Sequence, residues 1–314
     1  MSYWDLLSLT LPVFALIAIG ALVRRIEWVR DEAEASLVRL VVNLMMPCLI
    51  FDSIVGNPAM RQTSNIVWPP LAGFCFTALG FVMALYFARA LGLRDVQSQR
   101  TFALSTGIAN YGYLPLPIMA QMFGPDSQGI LMIHNVGVEA ALWTVGVLIL
   151  SGLSLREGWR KLINPVLISL CIAVLLNVSG LSTYVPSVVT GIARTLGKCA
   201  IPVGLLTTGS NLAQYLREPR NLLNPRVGIG ASVLRLGILP VMMLVAARML
   251  PFSIDLKRVL VIQAAMPAAA VPILLARHYG GVPLTAVQIV LGTTAVSVLT
   301  CPLWIRAGMA FVGL

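Results

Sequence analysis

The sequence predicts an all-α membrane protein in which ten transmembrane helices form two inverted five-helix repeats, with crossing broken helices at spans 4 and 9. Three observations support this fold class. Apolar residues dominate the chain, ten hydrophobic stretches have the length of a membrane span, and three pairs of prolines share one spacing of 155 positions. The pairs are Pro47 with Pro202, Pro70 with Pro225, and Pro117 with Pro272.

The composition excludes most soluble classes of protein. Of the 314 residues, 58% are apolar and 11% are charged, and the mean hydropathy is +0.88. The cysteines lie singly inside apolar runs, so neither a metal site nor a disulfide framework is expected; they are Cys48, Cys75, Cys171, Cys199 and Cys301. We expect no cofactor. The lipid bilayer is an expected partner, and no basic patch interleaved with aromatic residues indicates nucleic acid.

Hydrophobic stretches between charged or Pro/Gly-rich breaks set the predicted spans. The first half, residues 1–150, holds spans at 6–23, 37–55, 67–88, 101–122 and 128–150. After an inter-repeat loop at 151–164, the second half, residues 165–314, holds spans at 165–181, 186–210, 227–247, 259–276 and 284–305. An odd number of spans in each half forces the second copy to enter the bilayer from the opposite side. The first span follows an acidic residue and is expected to be a retained helix and not a cleaved signal peptide.

The placement of lysine and arginine predicts that both termini lie outside the cytoplasm. With the N-terminus outside, thirteen of these residues fall in inner loops and five on the outer side. The inner set is Arg24, Arg25, Arg30, Arg89, Arg94, Arg100, Arg156, Arg160, Lys161, Arg217, Arg220, Arg226 and Arg277. This orientation predicts a multi-pass protein of the inner (cytoplasmic) membrane.

The fourth span contains two prolines and two glycines between Gly107 and Pro117, a pattern that a continuous helix does not favour. We expect it to break near mid-membrane, between Tyr111 and Pro117. The matching break in span 9 is expected between Met266 and Pro272. Such breaks are tolerated only where they line a protein-enclosed cavity, and the second half-helices would point their N-termini at one shared site, which suits a carboxylate. The alternative is that the prolines only kink two continuous helices.

The residues around the first break resemble a known family. The segment Ala109-Asn110-Tyr111-Gly112-Tyr113-Leu114-Pro115-Leu116-Pro117-Ile118 is similar to the broken-helix segment of the auxin efflux carrier family. The break at Met266-Pro267, followed by Ala276-Arg277-His278-Tyr279-Gly280, resembles the family's ninth span. A tenth span with Thr293, Thr294, Ser297, Thr300, Pro302 and Trp304 completes the resemblance, together with Asn43 and Pro47 in span 2.

This resemblance implies a fold similar to those of bile-acid symporters and sodium/proton antiporters. It implies that spans 1, 2, 6 and 7 form a scaffold and that spans 3–5 and 8–10 form a transport domain that moves past it as an elevator. It also implies a homodimer and, from the family's bacterial members, carboxylate substrates such as malonate or malate. Two residues depart from the family pattern: Pro115 stands where glycine is usual, and Tyr111 replaces a smaller residue and would narrow the pocket.

Polar residues inside the spans are the candidate site residues. Arg235 and Glu139 both fall near the bilayer centre, where a lone charge is costly. They form either a structural pair or a functional one, in which Arg235 binds an anionic substrate and Glu139 carries a coupled proton. Glu139 is the only carboxylate placed deep in a predicted span, since Asp52 lies near an outer end. Lys198, four residues before Pro202, either faces the substrate path or extends to the interface.

Asparagine amides suit carboxylate recognition beside a broken helix. Asn110 lies at the break itself, whereas Asn43 either binds substrate or satisfies the backbone freed by Pro47. His134, beside Asn135 in span 5, is expected to be a packed, hydrogen-bonded core residue. The complete set of predicted substrate-binding residues is Asn110, Tyr111, Gly112, Pro117, Asn43, Asn135, Lys198, Arg235, Met266 and Pro272, with Glu139 as the coupling candidate.

The sequence is compatible with two classes of function. The first is a secondary carrier for a small organic anion in the export direction, with a proton- or sodium-coupled uptake symporter as the alternative and a channel or sensor on the same fold as a third. The second class is an intramembrane enzyme. The sequence contains no H-E-x-x-H, G-x-G-D or G-x-S-x-G motif, so an enzyme is disfavoured.

Overall fold

The computed structural model describes residues 1–151, 163–217 and 224–314. Across these ranges the regular structure is helical and no strand is formed. Seven of the described helices are long and apolar enough to cross a bilayer. The protein is therefore an all-helical membrane protein. Most of the predicted inter-repeat loop lies outside the described residues. So do four of the basic residues predicted to lie in inner loops: Arg156, Arg160, Lys161 and Arg220.

Five helices occupy the first described range. They are α1 (Tyr3–Arg25), α2 (Asp31–Leu40, continued through a π turn at Val41–Met45 into Met46–Ile54), α3 (Ser64–Ala90), α4 (Val96–Gly107) and α5 (Pro115–Ser151). Gly124, with φ of 82° and ψ of 176°, bends α5 into a first arm, 115–123, and a second arm, 125–151. Only glycine adopts that backbone conformation readily.

Six helices follow. They are α6 (Pro165–Val178), α7 (Ser187–Ala213), α8 (Pro225–Val233, continued through a π turn at Leu234–Ile238 into Leu239–Met249), α9 (Ile254–Ala264), α10 (Val271–His278) and α11 (Pro283–Val312). A 3-10 turn at Gln214–Arg217 extends α7.

Pro115, Pro117 and Pro272 lie in the first turns of helices, and Pro267 lies in a non-helical segment. The chain leaves the helical conformation at 108–114 and again at 265–270, so the first break lies three residues earlier than the sequence suggested and the second one to two residues earlier. Pro115 is the first residue of α5, and Pro272 is the second residue of α10. A first-turn proline costs little because its missing N–H would have no helical acceptor there. The half-helix N-termini accordingly lie at Pro115 and Val271.

Glycines bring two pairs of helices into backbone contact. Gly20 of α1 and Gly209 of α7 each lie against a carbonyl of the other helix, and Gly73 of α3 and Gly137 of α5 do the same. Membrane helices associate closely where small residues allow their backbones to approach. A side chain at any of these four positions would collide with the neighbouring backbone.

Packing between helices divides most of the described helices into two groups. In the first group, α7 packs against α1 and α2, and α2 packs against α6. In the second group, α3 packs on α4 and α5, α5 packs on α9, and α11 packs on α8 and α4. The groups meet where α2 faces α5 and where α1 faces α11.

Candidate functional site

The two non-helical segments pair with each other. Ala109 and Ala268 form an isolated antiparallel bridge. The backbone N–H of Asn110 donates to the carbonyl of Pro267 at 2.7 Å, and that of Ala269 donates to the carbonyl of Ile108 at 3.2 Å. Each break thus supplies hydrogen-bonding partners that the other lost on leaving the helix. Mutual pairing of this kind is what allows irregular backbone at membrane depth.

Arg235, in the π turn of α8, donates hydrogen bonds to backbone carbonyls beside the two paired segments, which we call the crossing. Its side chain is 3% exposed, and it donates to the carbonyls of Met266 at 3.1 Å, Gln263 at 3.3 Å and Gly107 at 3.5 Å. Gly107 ends α4, and Gln263 lies in the last turn of α9. Helix C-termini expose unpaired carbonyls with partial negative charge, so a buried cation is stabilised there.

The structure does not form the Arg235–Glu139 pair that was one of the sequence alternatives. Glu139 instead accepts a hydrogen bond from the side chain of Asn164 at 3.3 Å. Carbonyls at the two helix ends replace the carboxylate as the partners of the guanidinium. The ion pair does not form because the broken helices offer their own carbonyl groups to the guanidinium.

Two amide side chains hold the carbonyl of Tyr111 inside the first break. Asn135 donates to it at 2.8 Å and Gln263 at 3.2 Å. Gln263 also lies 3.2 Å from the side-chain oxygen of Asn135, so the two amides form one network. Asn135 therefore uses its amide to brace the backbone. Across the crossing, the hydroxyl of Thr293 accepts from the backbone N–H of Ala268 at 3.2 Å.

A cavity of about 90 Å³ lies beside the first break. Tyr111, Gly112 and the second arm of α5 form one side of it, and α2 and α6 form the other. Its lining is mostly apolar, and the side chains of Asn135 and Glu139 supply polar groups. The lining residues are Met46, Ile50, Tyr111, Gly112, Leu116, Met132, Asn135, Val136, Glu139, Ala140, Val166 and Leu167. A mostly apolar lining with a few polar groups is typical of small-molecule sites.

The N-terminus of α6 closes one wall of this cavity. Asn164 caps the helix by accepting from the backbone N–H of Leu167 at 2.9 Å, and its amide also reaches Glu139. The hydroxyl of Ser169, five residues later, donates to the carbonyl of Pro47 at 2.7 Å. Because Pro47 lies well inside α2, α6 begins alongside the interior of that helix and not at its end.

Four predicted site residues gather at the cavity, and the others lie elsewhere. Tyr111, Gly112, Asn135 and Glu139 line it. Asn110 and Pro117 are half-buried close by in sequence, whereas Met266 and Pro272 are buried in the second crossing segment and in α10. Among the described residues, no hydrogen-bond partner is found for the Asn110 side chain.

Asn43 and Lys198 are not part of this cavity. Asn43 of α2 and Lys198 of α7 are exposed, as is Pro202. Proximity to a proline in sequence did not indicate which side of the helix faces the protein. His134 is buried, as expected, but its two ring nitrogens have no hydrogen-bond partner among the described residues.

Sequence reasoning missed three polar residues. Asn164 precedes Pro165, a pairing typical of a helix start, and Gln263 lies three residues before the predicted break. Glu34 is the third: because α2 begins at Asp31 instead of residue 37, this carboxylate is inside a helix and 9% exposed. It accepts from the hydroxyl of Ser210 at 2.5 Å and from the amide of Asn211 at 3.2 Å.

Comparison with known proteins identifies the family. The family model described as "Membrane transport protein" matches residues 6–157 and 151–305, which is nearly the whole chain. The chain belongs to the auxin efflux carrier family of membrane transporters. Two similar members of the auxin efflux carrier family come from archaea. An uncharacterized transporter of Methanothermobacter thermautotrophicus is 28% identical over 312 residues, covering 94% of this chain and 95% of its own length.

An uncharacterized transporter of Methanocaldococcus jannaschii is 24% identical over 308 residues, covering 95% of this chain and 97% of its own. Membership of the auxin efflux carrier family makes this protein a membrane transporter, as the resemblance of the first break indicated.

Proposed function

We propose that this protein is a secondary carrier that moves a small organic anion across the cytoplasmic membrane by elevator-type alternating access. The substrate class is a mono- or dicarboxylate, such as malonate or malate, or an auxin-like acid. One observation carries the proposal: the cavity lies between the break at Tyr111 and Gly112 on one side and α2 and α6 on the other. A site at such a boundary opens to either face when one side slides past the other.

Backbone donors at the break supply the recognition chemistry. The described residues offer no hydrogen-bond acceptor to the backbone N–H groups of Gly112, Tyr113 and Leu114, which directly precede the first arm of α5. The partial positive charge of that helix N-terminus adds to them. Unpaired N–H groups beside a small cavity are suited to binding carboxylate oxygens.

The elevator assigns a role to each group of helices. We place α1, α2, α6 and α7 in the scaffold and α3–α5 with α8–α11 in the transport domain. In this proposal α4 and the first arm of α5 together form one membrane span, and α9 and α10 together form another. The chain then has ten membrane spans in two inverted five-helix repeats. The antiparallel pairing of Ala109 with Ala268 supports a twofold relation between the two breaks.

The proposed orientation has both termini outside the cytoplasm. With the interior negative, the outward movement of one net negative charge is favoured by about 2.3 kcal/mol per 100 mV. Export of a monoanion therefore requires no coupled ion, whereas accumulation inside the cell does.

Binding and flux measurements on matched variants test the proposal. Purified protein is screened for ligand-induced stabilisation with C2 to C6 carboxylates and aromatic acids, since a ligand that binds only the folded state raises the melting temperature. Gly112 lines the cavity and a Cβ there meets no atom within 4 Å. We expect Gly112→Val to fold, to fill part of the cavity and to weaken carboxylate binding at least tenfold.

Gly191→Val is the matched control, because Gly191 has equally open surroundings but lies on an exposed part of α7. It should bind and transport like the wild type. In proteoliposomes, a carrier accelerates uptake of labelled carboxylate when unlabelled carboxylate is preloaded, and a channel does not. Equal binding by both glycine variants would remove this cavity from the site, and the absence of counterflow would favour a channel or sensor.

A further inference from the structure

The carboxylate of Glu139 creates an electrostatic conflict in a site for organic anions. It lines the cavity, and no lysine, arginine or histidine is found among the described residues of the lining. An ionised Glu139 and a substrate carboxylate in a cavity of about 90 Å³ would repel each other strongly, because little water is present to screen them. Anion binding is favoured only when Glu139 carries a proton.

We propose that Glu139 is a proton-binding site that is loaded together with the organic anion, so that the carrier moves one proton with each substrate molecule. The inference rests on the proposed function and names its coupling ion. The proton binds one carboxylate oxygen of Glu139 on one side of the membrane and leaves from the same oxygen on the other side. No covalent bond of the substrate is made or broken.

The groups that face Glu139 are neutral on every described element. The break contributes the phenol of Tyr111, α2 contributes Met46 and Ile50, and α6 contributes Asn164. Charged and titratable residues nearby are accounted for elsewhere: Arg235 binds carbonyls at the crossing, and His134, on the same helix as Glu139, is absent from the lining. The charges of 152–162 lie outside the described residues.

Asn164 is a positioning residue in this proposal. Its amide holds Glu139 from α6, across the cavity from the helix that carries the glutamate. The same side chain caps α6, so the contact is built into the start of that helix. The proton-binding group of the proposed transport domain is thereby in contact with the proposed scaffold, and its protonation can be linked to movement between them.

Malonate flux in proteoliposomes tests the coupling. With the membrane potential clamped at zero, an inside-alkaline pH gradient should drive accumulation of labelled malonate by the wild type, and an internal pH dye should report one proton per malonate. Malonate binding by the wild type should weaken by up to tenfold per pH unit once Glu139 ionises. Glu139→Gln should lose gradient-driven accumulation and bind with less than a twofold change across the same pH range, yet retain counterflow.

Glu34→Gln is the matched control. It also removes a buried carboxylate from a helix, but one that is bound by Ser210 and Asn211 of α7 and that does not line the cavity. It should keep the wild-type proton stoichiometry. Because malonate itself titrates, the comparison between Glu139→Gln and Glu34→Gln separates protonation of the protein from protonation of the substrate.

A second variant keeps the proposal testable if Glu139→Gln does not fold. Asn164→Asp preserves an oxygen that can cap α6 and places a second carboxylate beside Glu139. Uptake should then reach half its maximum at a higher pH than in the wild type, and an unchanged pH profile would overturn the proposal.

Failure of the proton site and failure of the proposed function give different results. Proton coupling that persists in Glu139→Gln, or wild-type accumulation driven by a sodium gradient without a pH gradient, overturns the proton site and leaves the carboxylate carrier intact. A wild type that binds and exchanges no carboxylate of the panel overturns the proposed function and this inference with it.

Discussion

Buried polar side chains near the crossing act mainly on backbone groups. Arg235 binds carbonyls at the ends of two helices, and Asn135 and Gln263 bind the carbonyl of Tyr111. Leaving such a carbonyl unpaired in a buried site costs about 1–3 kcal/mol. These residues are therefore required for the shape of the break before any substrate arrives, and their loss should be visible in the stability of the protein itself.

A double-mutant cycle separates Arg235 from Glu139. We expect Arg235→Met to lower the free energy of unfolding by about 3 kcal/mol, because three carbonyls lose a charged donor. Glu139→Gln keeps an acceptor for Asn164 and should cost less than about 1 kcal/mol. Because the two side chains share no partner, their effects should add to within about 0.5 kcal/mol when unfolding in detergent is followed by SDS titration.

Arg235→Lys is the control for charge alone. Its free energy of unfolding should lie between those of Arg235→Met and the wild type, since lysine keeps the charge but lacks the planar, multi-donor guanidinium that binds several carbonyls at once. If neutralising Arg235 and Glu139 together restored the stability that each single change lost, the two side chains would be shown to pair.

At the scale of the elements, prolines and glycines determine where helices start and bend. Of the three π turns in the described residues, two are followed at once by a segment with proline in its first two positions, Pro47 in α2 and Pro240 in α8; the third, Leu142–Gly146 in α5, is not. A π turn widens the helix locally and accommodates a residue that cannot donate a backbone hydrogen bond. Gly124 separates the two arms of α5 by its positive φ, which turns the chain sharply enough for the arms to run as different helices.

Alanine substitutions at Gly124 and Gly191 should have effects of opposite sign. A Cβ meets no atom within 4 Å at either position, so backbone conformation alone decides the result. At Gly124 the φ of 82° disfavours alanine by about 1–3 kcal/mol. At Gly191, inside α7, alanine should stabilise by about 0.5–1 kcal/mol. Melting temperatures in detergent measure both, and equal shifts would show that Gly124 is not constrained.

At the scale of the whole molecule, the two groups of helices also meet away from the cavity. Arg277, at the end of α10, lies over the ring of Tyr215 after α7, with 5.0 Å from the guanidinium carbon to the ring centroid. Burial raises the pKa of the Tyr215 phenol; Arg277 opposes this shift and Glu34 adds to it. This contact lies apart from those of α1 with α11 and of α2 with α5, so sliding of one group past the other would have to break it.

Cross-linking across the cavity tests that movement. In a variant without the five native cysteines, new cysteines at Ala140 of α5 and Val166 of α6, both in the lining, would be joined by a flexible bismaleimide. We expect counterflow of labelled carboxylate to fall to background, because the link ties the proposed transport domain to the scaffold. Cysteines at Val136 and Ala140, one turn apart on the same helix, are the matched pair and should retain transport after the same treatment. Full activity of the cross-linked first pair would exclude an elevator.

Much of the architecture could be read from local patterns. Long apolar stretches give membrane helices because backbone groups in hydrocarbon must bond within their own segment. The proline-containing stretches at 107–117 and 266–272 marked both breaks, although Pro115 and Pro272 turned out to lie in the first turn of the following helices. The order of motifs around Asn110 to Ile118 identified the family, which the match over residues 6–305 shows.

The partners of the polar side chains were decided only by the tertiary structure. Sequence spacing placed Arg235 and Glu139 at one depth, but it could not show that Arg235 would meet carbonyls of α4 and α9 and Glu139 an amide of α6. Nor could it show that Asn43 and Lys198 are exposed and absent from the cavity lining. A hydrophobic pattern reports that a residue lies within the membrane, because burial in lipid or in protein requires the same apolar side chains. Which neighbour a polar group meets depends on helix rotation and on contacts between residues distant in the chain.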